Sequence, residues 1–364
     1  MRALILAEQK EGCAARLRLG GFASDVAEEI AFYLSQASDL LDQAAAIIEA
    51  LDAVGMAARL ADPAEPSAWL DWLMEHPDRT VVWSVTDGIR YYRGSGAVSF
   101  ARMIGAPVFG CSVQAQNIAQ DKAKLAAVAT ALGVDVPAFG LMRDGHWLTP
   151  SPKGIGPWFV KPNTLGAKIG IWPNSKVETL AAAADLSRWI FDRYRDDAMI
   201  QAFVPGADVR VSSMAVGDDP ALTRLGVYRL DTSGGGETAG AFMTMADNAT
   251  LSGLADTEGT ATASRAGGPA FQPRLVDMAG TDPAGAARTA GITRRVAAGF
   301  GLRDLFSLDF RLDADGTPWL LEFEVCPAVT IYDFRRYLAD QWACDLPDAL
   351  ARALPRAVTR GASV

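Results

Sequence analysis

Three carboxylates and three lysines carry most of the chemistry legible in this chain. Within residues 306–327, Phe306, Leu308, Phe310 and Leu312 alternate with Ser307, Asp309 and Arg311, the two-residue period of a half-buried strand. Asp313 to Gly316 are turn residues, and the run beyond them reads as a returning strand. On it Leu321, Phe323 and Val325 share one face and Glu322 and Glu324 the other. In a suitable register the hairpin gathers Asp309, Glu322 and Glu324 on one face. Carboxylates so crowded repel unless neutralised, and a hard divalent cation with oxygen ligands would do that. The alternative is a hairpin with one solvated acidic face. The lysines suit anions instead. Lys161 closes the strand-like run 158–163, and the turn 164–170, with Gly166, Lys168 and Gly170, lets backbone approach a phosphate closely. Asp121 and Lys122 open a helix nearby in sequence.

These groups need a scaffold, and the composition supplies one. The chain has 364 residues, 50 % of them hydrophobic, enough for two or three domains with real cores. A formal charge of −9 argues against general nucleic-acid affinity. No apolar run reaches the roughly 18 residues of a membrane span, and the amino-terminal apolar run is short for a signal peptide and reads as a first strand. Cys13, Cys111, Cys326 and Cys344 are scattered, without metal-ligand spacing or a disulfide framework, so a cytoplasmic protein with reduced thiols is expected. His76 and His146 are the only histidines and read as loop residues, which disfavours histidine-based triads and metal sites.

Along the chain, strands are expected at 2–7, 56–60, 80–85 and near Val108, separated by helices at 38–54, 67–75 and 97–104; residues 8–27 read as a loop running into a helix. Alternation of this kind implies a parallel sheet covered on both faces. The loop 86–96, with Arg90 among its charged and aromatic residues, follows a strand, where such sheets place ligands. A helix over 121–132, a strand at 158–163 and a helix at 178–195 come next. Residues 199–216 read as strand, Pro205-Gly206 turn and strand, with 222–230 pairing alongside. Residues 231–282, dense in Gly, Ala, Thr and Ser, read as a functional lid. A helix at 284–300 precedes the acidic hairpin, and helices fill 331–354.

Four segments occur in the order and rough spacing of the ATP-grasp superfamily: Asp121-Lys122, Phe159-Val-Lys-Pro162 with its glycine turn, Gln201 to Asp208, and Asp309 with Glu322-x-Glu324-x-x-Pro327. Over residues 117–330 the chain most resembles D-alanine–D-alanine ligases, while the first 116 residues resemble them only in general organisation. The resemblance implies an α/β protein, α+β in its carboxy-terminal half. It would be an ATP-grasp fold behind a Rossmann-like parallel-sheet domain, divided at 1–116, 117–205 and 206–364.

Site roles follow from the resemblance residue by residue. Lys122 and Lys161 match the lysines that bind ATP phosphates, and 164–170 the turn that covers them. Ala167 stands where a serine is usual, and Lys168 is either a phosphate contact or exposed. Gln201 matches an acidic acceptor from the adenine amino group, a role its amide oxygen can fill. Phe203 and Val204 match the edge that reads adenine, and Asp208 the carboxylate that binds the ribose. Asp309, Glu322 and Glu324 match ligands of Mg2+, with Mn2+ as an alternative; Glu324 replaces an asparagine. Ser307 stands at the place of an oxyanion-stabilising arginine, with Arg311 as its expected substitute. Asp333 replaces a serine that contacts the second substrate's carboxylate; a cationic partner for it is expected in Arg335, Arg336 or the substrate. Tyr332, Arg90 and Arg229 complete the expected substrate contacts. The implied activity is ATP-dependent joining of a small carboxylate to an amine through an acyl phosphate, with a product other than D-alanyl-D-alanine. The alternatives are phosphoryl transfer to a small molecule and ATP binding without turnover. Nucleic acid and membrane are not expected partners, and a homodimer is left open.

Overall fold

Strand β1 (Arg2–Leu6) is apolar and buried from Ala3 to Leu6 because it runs inside a parallel sheet. The structure is a computed structural model that describes residues 1–85, 94–231, 242–245, 263–264, 270–271 and 274–361. Between β1 and β2 (Ala57–Ala61) lie helices α1 (Lys10–Leu19), α2 (Ser24–Asp42) and α3 (Ala44–Ala53). After them come α4 (Leu70–Glu75), β3 (Thr80–Ser84), α5 (Gly94–Met103) and β4 (Val108–Phe109). The four strands form a parallel sheet in the order β2-β1-β3-β4, as the alternation of strands and helices requires.

Residues 8–27, expected as a loop running into a helix, already hold α1 before α2 starts at Ser24, and the helix expected over 38–54 is broken at Gln43. The reason is tertiary. Cys13, Leu17, Ala27 and Ile30 pack into a core with Trp158, Val160 and Ile200, whereas Ile47 and Leu51 pack beneath the first sheet.

Helices α6 (Val113–Ala119) and α7 (Lys122–Ala131) lead to a second, antiparallel sheet of β5 (Phe139–Arg143), β6 (His146–Trp147), β7 (Trp158–Pro162), β8 (Lys176–Val177) and β9 (Ala198–Ala202). Its order is β6-β5-β9-β7-β8, with α8 (Leu180–Tyr194) between β8 and β9 in sequence. The third sheet begins with β10 (Ala207–Met214) and β11 (Leu225–Asp231); the short pair β12 (Ala263–Ser264) and β13 (Ala270–Phe271) stands apart from it. It then takes in β14 (Arg274–Asp277) and, after α9 (Met278–Thr281) and α10 (Pro283–Phe300), β15 (Leu305–Leu312) and β16 (Pro318–Glu324), in the order β14-β11-β10-β15-β16. The chain ends in α11 (Tyr332–Trp342) and α12 (Leu346–Gly361).

The expected hairpin over 199–216 does not form. Its two strands belong to different sheets, and Pro205-Gly206 carries the chain from one to the other. Gly206 has a φ of 146°, and a Cβ there would meet the Leu312 carbonyl oxygen at 2.0 Å. Only glycine lets β10 start against the end of β15.

Helices are exchanged between the sheets. Leu125 and Ala129 of α7 join the core of the third sheet with Val211, Leu308 and Phe323, while Leu350 and Leu354 of α12 cover Ile5 and Val81 of the first. Among the described residues no helix is long and apolar enough to cross a membrane. The 86–93 part of the expected ligand loop, with Arg90, and most of the expected lid lie outside the described residues.

Candidate functional site

A cavity opens between the second and third sheets, and the lysines reach it from one side and the acidic hairpin from the other. Asn163, just past β7, fixes the start of α7: its Oδ1 accepts from the Ala123 amide at 2.9 Å and its Nδ2 donates to Asp121 at 3.0 Å. Lys122 therefore sits beside the end of β7. Its ammonium donates to the Leu165 carbonyl at 2.6 Å and lies 3.3 Å from Glu322. Lys161, 5 % exposed, lines the same wall. Burial pushes its pKa down to about 8; Lys122 acts in the same direction, and Glu322 and Asp309 oppose it. In the turn after β7, Ala167 and Lys168 both take left-handed backbone, with φ of 49° and 61°, and Lys168 lines the cavity.

The acidic hairpin has the register that alternation allows. Asp309 pairs with Glu322 and Ser307 with Glu324, and a bulge after Asp309 shifts Phe310 to Leu320. Asp309 and Glu322 line the cavity. Their environments differ. Burial raises the Glu322 pKa, but Lys122 and Lys161 outweigh it and hold the carboxyl down at about 2. Asp309 is pushed up to about 7 by burial, with Glu324 and Glu322 adding to the effect and Arg210 opposing it.

Arg210 is the residue that sequence reasoning missed. It stands on β10 directly across from Asp309, with Nη1 3.0 Å from both Asp309 oxygens and Nη2 2.6 Å from Glu324 Oε2. Its Nε is ion-paired with Asp333. Period-two spacing from Asp208 was the one available signal, since it places Arg210 on the same strand face.

This arrangement corrects several expectations. The partner of Asp333 is Arg210, neither Arg335 nor Arg336, because Asp333 is turned into the protein and only 1 % exposed. Glu324 is engaged by Arg210 and by the Ser307 hydroxyl, which donates to it at 3.1 Å, so the three carboxylates do not form one open cluster. Among the described residues no three acidic, histidine or cysteine side chains converge on a single ion position. Asp309 and Glu322 are register partners on adjacent strands and both line the cavity, so they are the pair that could hold a divalent ion.

Arg311 lies one register step away. Its Nε donates to the Val204 carbonyl at 3.1 Å and its Nη1 to Asp208 at 2.6 Å, so it braces the crossing between the sheets instead of reaching the acidic pair. That crossing borders the apolar end of the cavity. Phe159, Phe203 and Phe242 pack against one another there, with centroid distances of 5.0–6.1 Å, and form an aromatic wall of the cavity. Gln201 lines it, 2 % exposed, and its Nε2 has no hydrogen-bond partner among the described residues. A buried amide left without a partner fits a ligand that supplies one. Tyr332, at the start of α11, lines the cavity; Arg229 and Ser307 do not.

Comparison with known proteins agrees with the fold. No family model matches the chain. Its sequence is 32 % identical over 155 residues to the D-alanine–D-alanine ligase of Neisseria gonorrhoeae, 42 % of this chain and 46 % of that enzyme. It is 36 % identical over 118 residues to the D-alanine–D-alanine ligase of Chlorobium limicola, 30 % of this chain and 31 % of that enzyme. The chain thus spans less than half the length of the curated relatives it matches. Among solved structures, the D-alanine–D-alanine ligase from Bacillus anthracis complexed with ATP aligns with a TM-score of 0.60 at 12 % identity, covering 100 % of this chain and 98 % of that one. The Coxiella burnetii D-alanine–D-alanine ligase aligns at 0.58 and 12 % identity, covering 100 % and 96 %.

Proposed function

We propose that the chain, which has the fold of D-alanine–D-alanine ligases, is an ATP-grasp protein and an ATP-dependent carboxylate–amine ligase. The observation that carries the reading is the meeting of Lys122 and Lys161 with the Asp309–Glu322 pair in one cavity. Cationic heads on one wall suit phosphate oxygens. Paired carboxylates opposite suit a divalent ion, Mg2+ or Mn2+, which when held there supplies charge neutralisation of the phosphates.

In this reading the base of ATP lies against the aromatic wall of the cavity, where Gln201 meets its edge and Phe203 and Val204 supply backbone. Asp208, held by Arg311, faces the ribose. Lys122, Lys161 and Lys168 draw the triphosphate toward Asp309 and Glu322. A substrate carboxylate oxygen then attacks the γ-phosphorus, ADP leaves and an acyl phosphate forms. The amine attacks the acyl carbon, phosphate departs and an amide remains. Positioning and charge stabilisation suffice, without a protein nucleophile.

Asp333 does not line the cavity, so it does not select against a carboxylate on the second substrate. With Asp333 turned away from the cavity, the substrate class is small carboxylates and amines, D-alanine included. Pairwise screening of amino acids and small amines for ADP release with amide formation tests the reading. A stable phosphorylated product would instead assign phosphoryl transfer, and nucleotide binding with no turnover on any pair would assign a binding protein.

A further inference from the structure

Arg210 has no part in the reaction as written above, yet it holds the centre of the acidic face. Successive cross-strand pairs, Asp309 with Glu322 and Ser307 with Glu324, give that face two adjacent cation positions, one between Asp309 and Glu322 and the next between Asp309 and Glu324. The second is taken. The Arg210 guanidinium bonds both Asp309 oxygens at 3.0 Å and Glu324 at 2.6 Å, and Asp333 closes on its Nε from α11. Ser307 fixes Glu324 from the far side. Arg210 and Asp309 line the cavity, whereas Glu324 and Asp333 do not, so the guanidinium stands between those two carboxylates and any ligand.

We propose that Arg210 is a built-in cation of this site, and that the cavity takes one divalent ion, at Asp309 and Glu322, where the open acidic face would take two. The proposal rests on the ligase reading only for the nucleotide that accompanies that ion. A carboxylate has lone pairs enough for Asp309 to bond the guanidinium on one edge and an ion on the other. A guanidinium keeps its charge at any pH a protein survives, so this position is occupied by cation throughout. Glu324 and Asp333 also find their place here. Each is an acidic residue that a single metal does not need, and Arg210 engages both.

Mn2+ titration followed by electron paramagnetic resonance tests the proposal, run with and without a non-hydrolysable ATP analogue whose own binding is measured by calorimetry. The native protein should bind one Mn2+ per bound analogue. Arg210→Lys, which keeps the charge, should also bind one. The double variant Arg210→Met with Asp333→Ser removes a buried pair together, a change that folds tolerate better than loss of one partner, and should bind two. Without analogue the double variant should gain a Mn2+ site that Glu324→Gln removes. Two ions in the native complex, or no gained site in the double variant, would overturn the proposal. Failure of the analogue to bind overturns the ligase reading instead, and the titration without analogue still decides the role of Arg210.

Discussion

The Lys122 ammonium lies 3.3 Å from the Glu322 carboxylate while it donates to the Leu165 carbonyl at 2.6 Å. One side chain thus ties the turn after β7 to the acidic strand β16, and the lysine-bearing and acidic walls of the cavity are built as a unit. Neutralising either carboxylate of the Asp309–Glu322 pair should therefore disable the site without unfolding the protein. In Asp309→Asn or Glu322→Gln, metal-dependent turnover should fall by at least the ~10–100-fold that even an outer-shell partner is worth, with the circular dichroism spectrum unchanged. Native-level turnover in either variant would remove these two residues from the metal site.

Lys161→Ala should weaken ATP binding by about 1.5–3 kcal/mol, the worth of a hydrogen bond to a charged group. Calorimetry with a non-hydrolysable analogue measures this directly. Unchanged affinity would separate the β7 end from the phosphates.

ATP binding should also be coupled to protons through Lys161. Burial holds its pKa at about 8, below the ordinary lysine value of 10.5, and a bound triphosphate favours the charged form. Above pH 8 the free protein has lost this proton and the complex regains it, so binding takes up protons and affinity falls as pH rises. The linkage for stability has the opposite sense. The unfolded chain binds more protons than the folded one between pH 8 and 10.5, so this group's contribution to stability rises with pH across that window. Calorimetry at pH 8.5 in buffers of different ionisation enthalpy should show uptake in the native protein and none in Lys161→Met.

Arg311 braces Val204 and Asp208, so Arg311→Ala should raise KM for ATP, by the equivalent of about 1.5–3 kcal/mol, and leave kcat near native. A fall in kcat with KM unchanged would return Arg311 to the reacting centre.

Asp333 is buried against Arg210. Asp333→Ser should lower stability, with about 3–5 kcal/mol as the usual cost of stripping one partner from a buried pair, seen as a lower denaturant midpoint. The preference among acids and amines should not move. A shift in preference at native stability would place Asp333 against substrate.

Much of the site was legible from local pattern. Period-two alternation put Asp309, Glu322 and Glu324 on one face, and Asp309 does stand opposite Glu322. The strand ending at Lys161 and the helix opening at Lys122 are where turn and capping residues place them. Local pattern failed where one stretch served two partners. Residues 199–216 look like a hairpin, yet β9 and β10 join different sheets, and α1 and α2 pack on a core whose other residues lie more than a hundred positions away.

The sequence by itself determined which side chains share a strand face, because alternation is a property of each strand alone. It thereby put Asp309, Glu322 and Glu324 on one face. Which groups meet across strands was decided only by the tertiary structure. Arg210 and Asp309 are 99 residues apart and become neighbours through the register of β10 against β15. A shift of that register by a single step would exchange their partners and turn the face over. The same register carries Arg311 to Asp208, and the packing of α11 brings Asp333 to Arg210. Charges set their ionisation by what lies within a few ångströms, so the electrostatics of the cavity belong to the fold and not to any one segment.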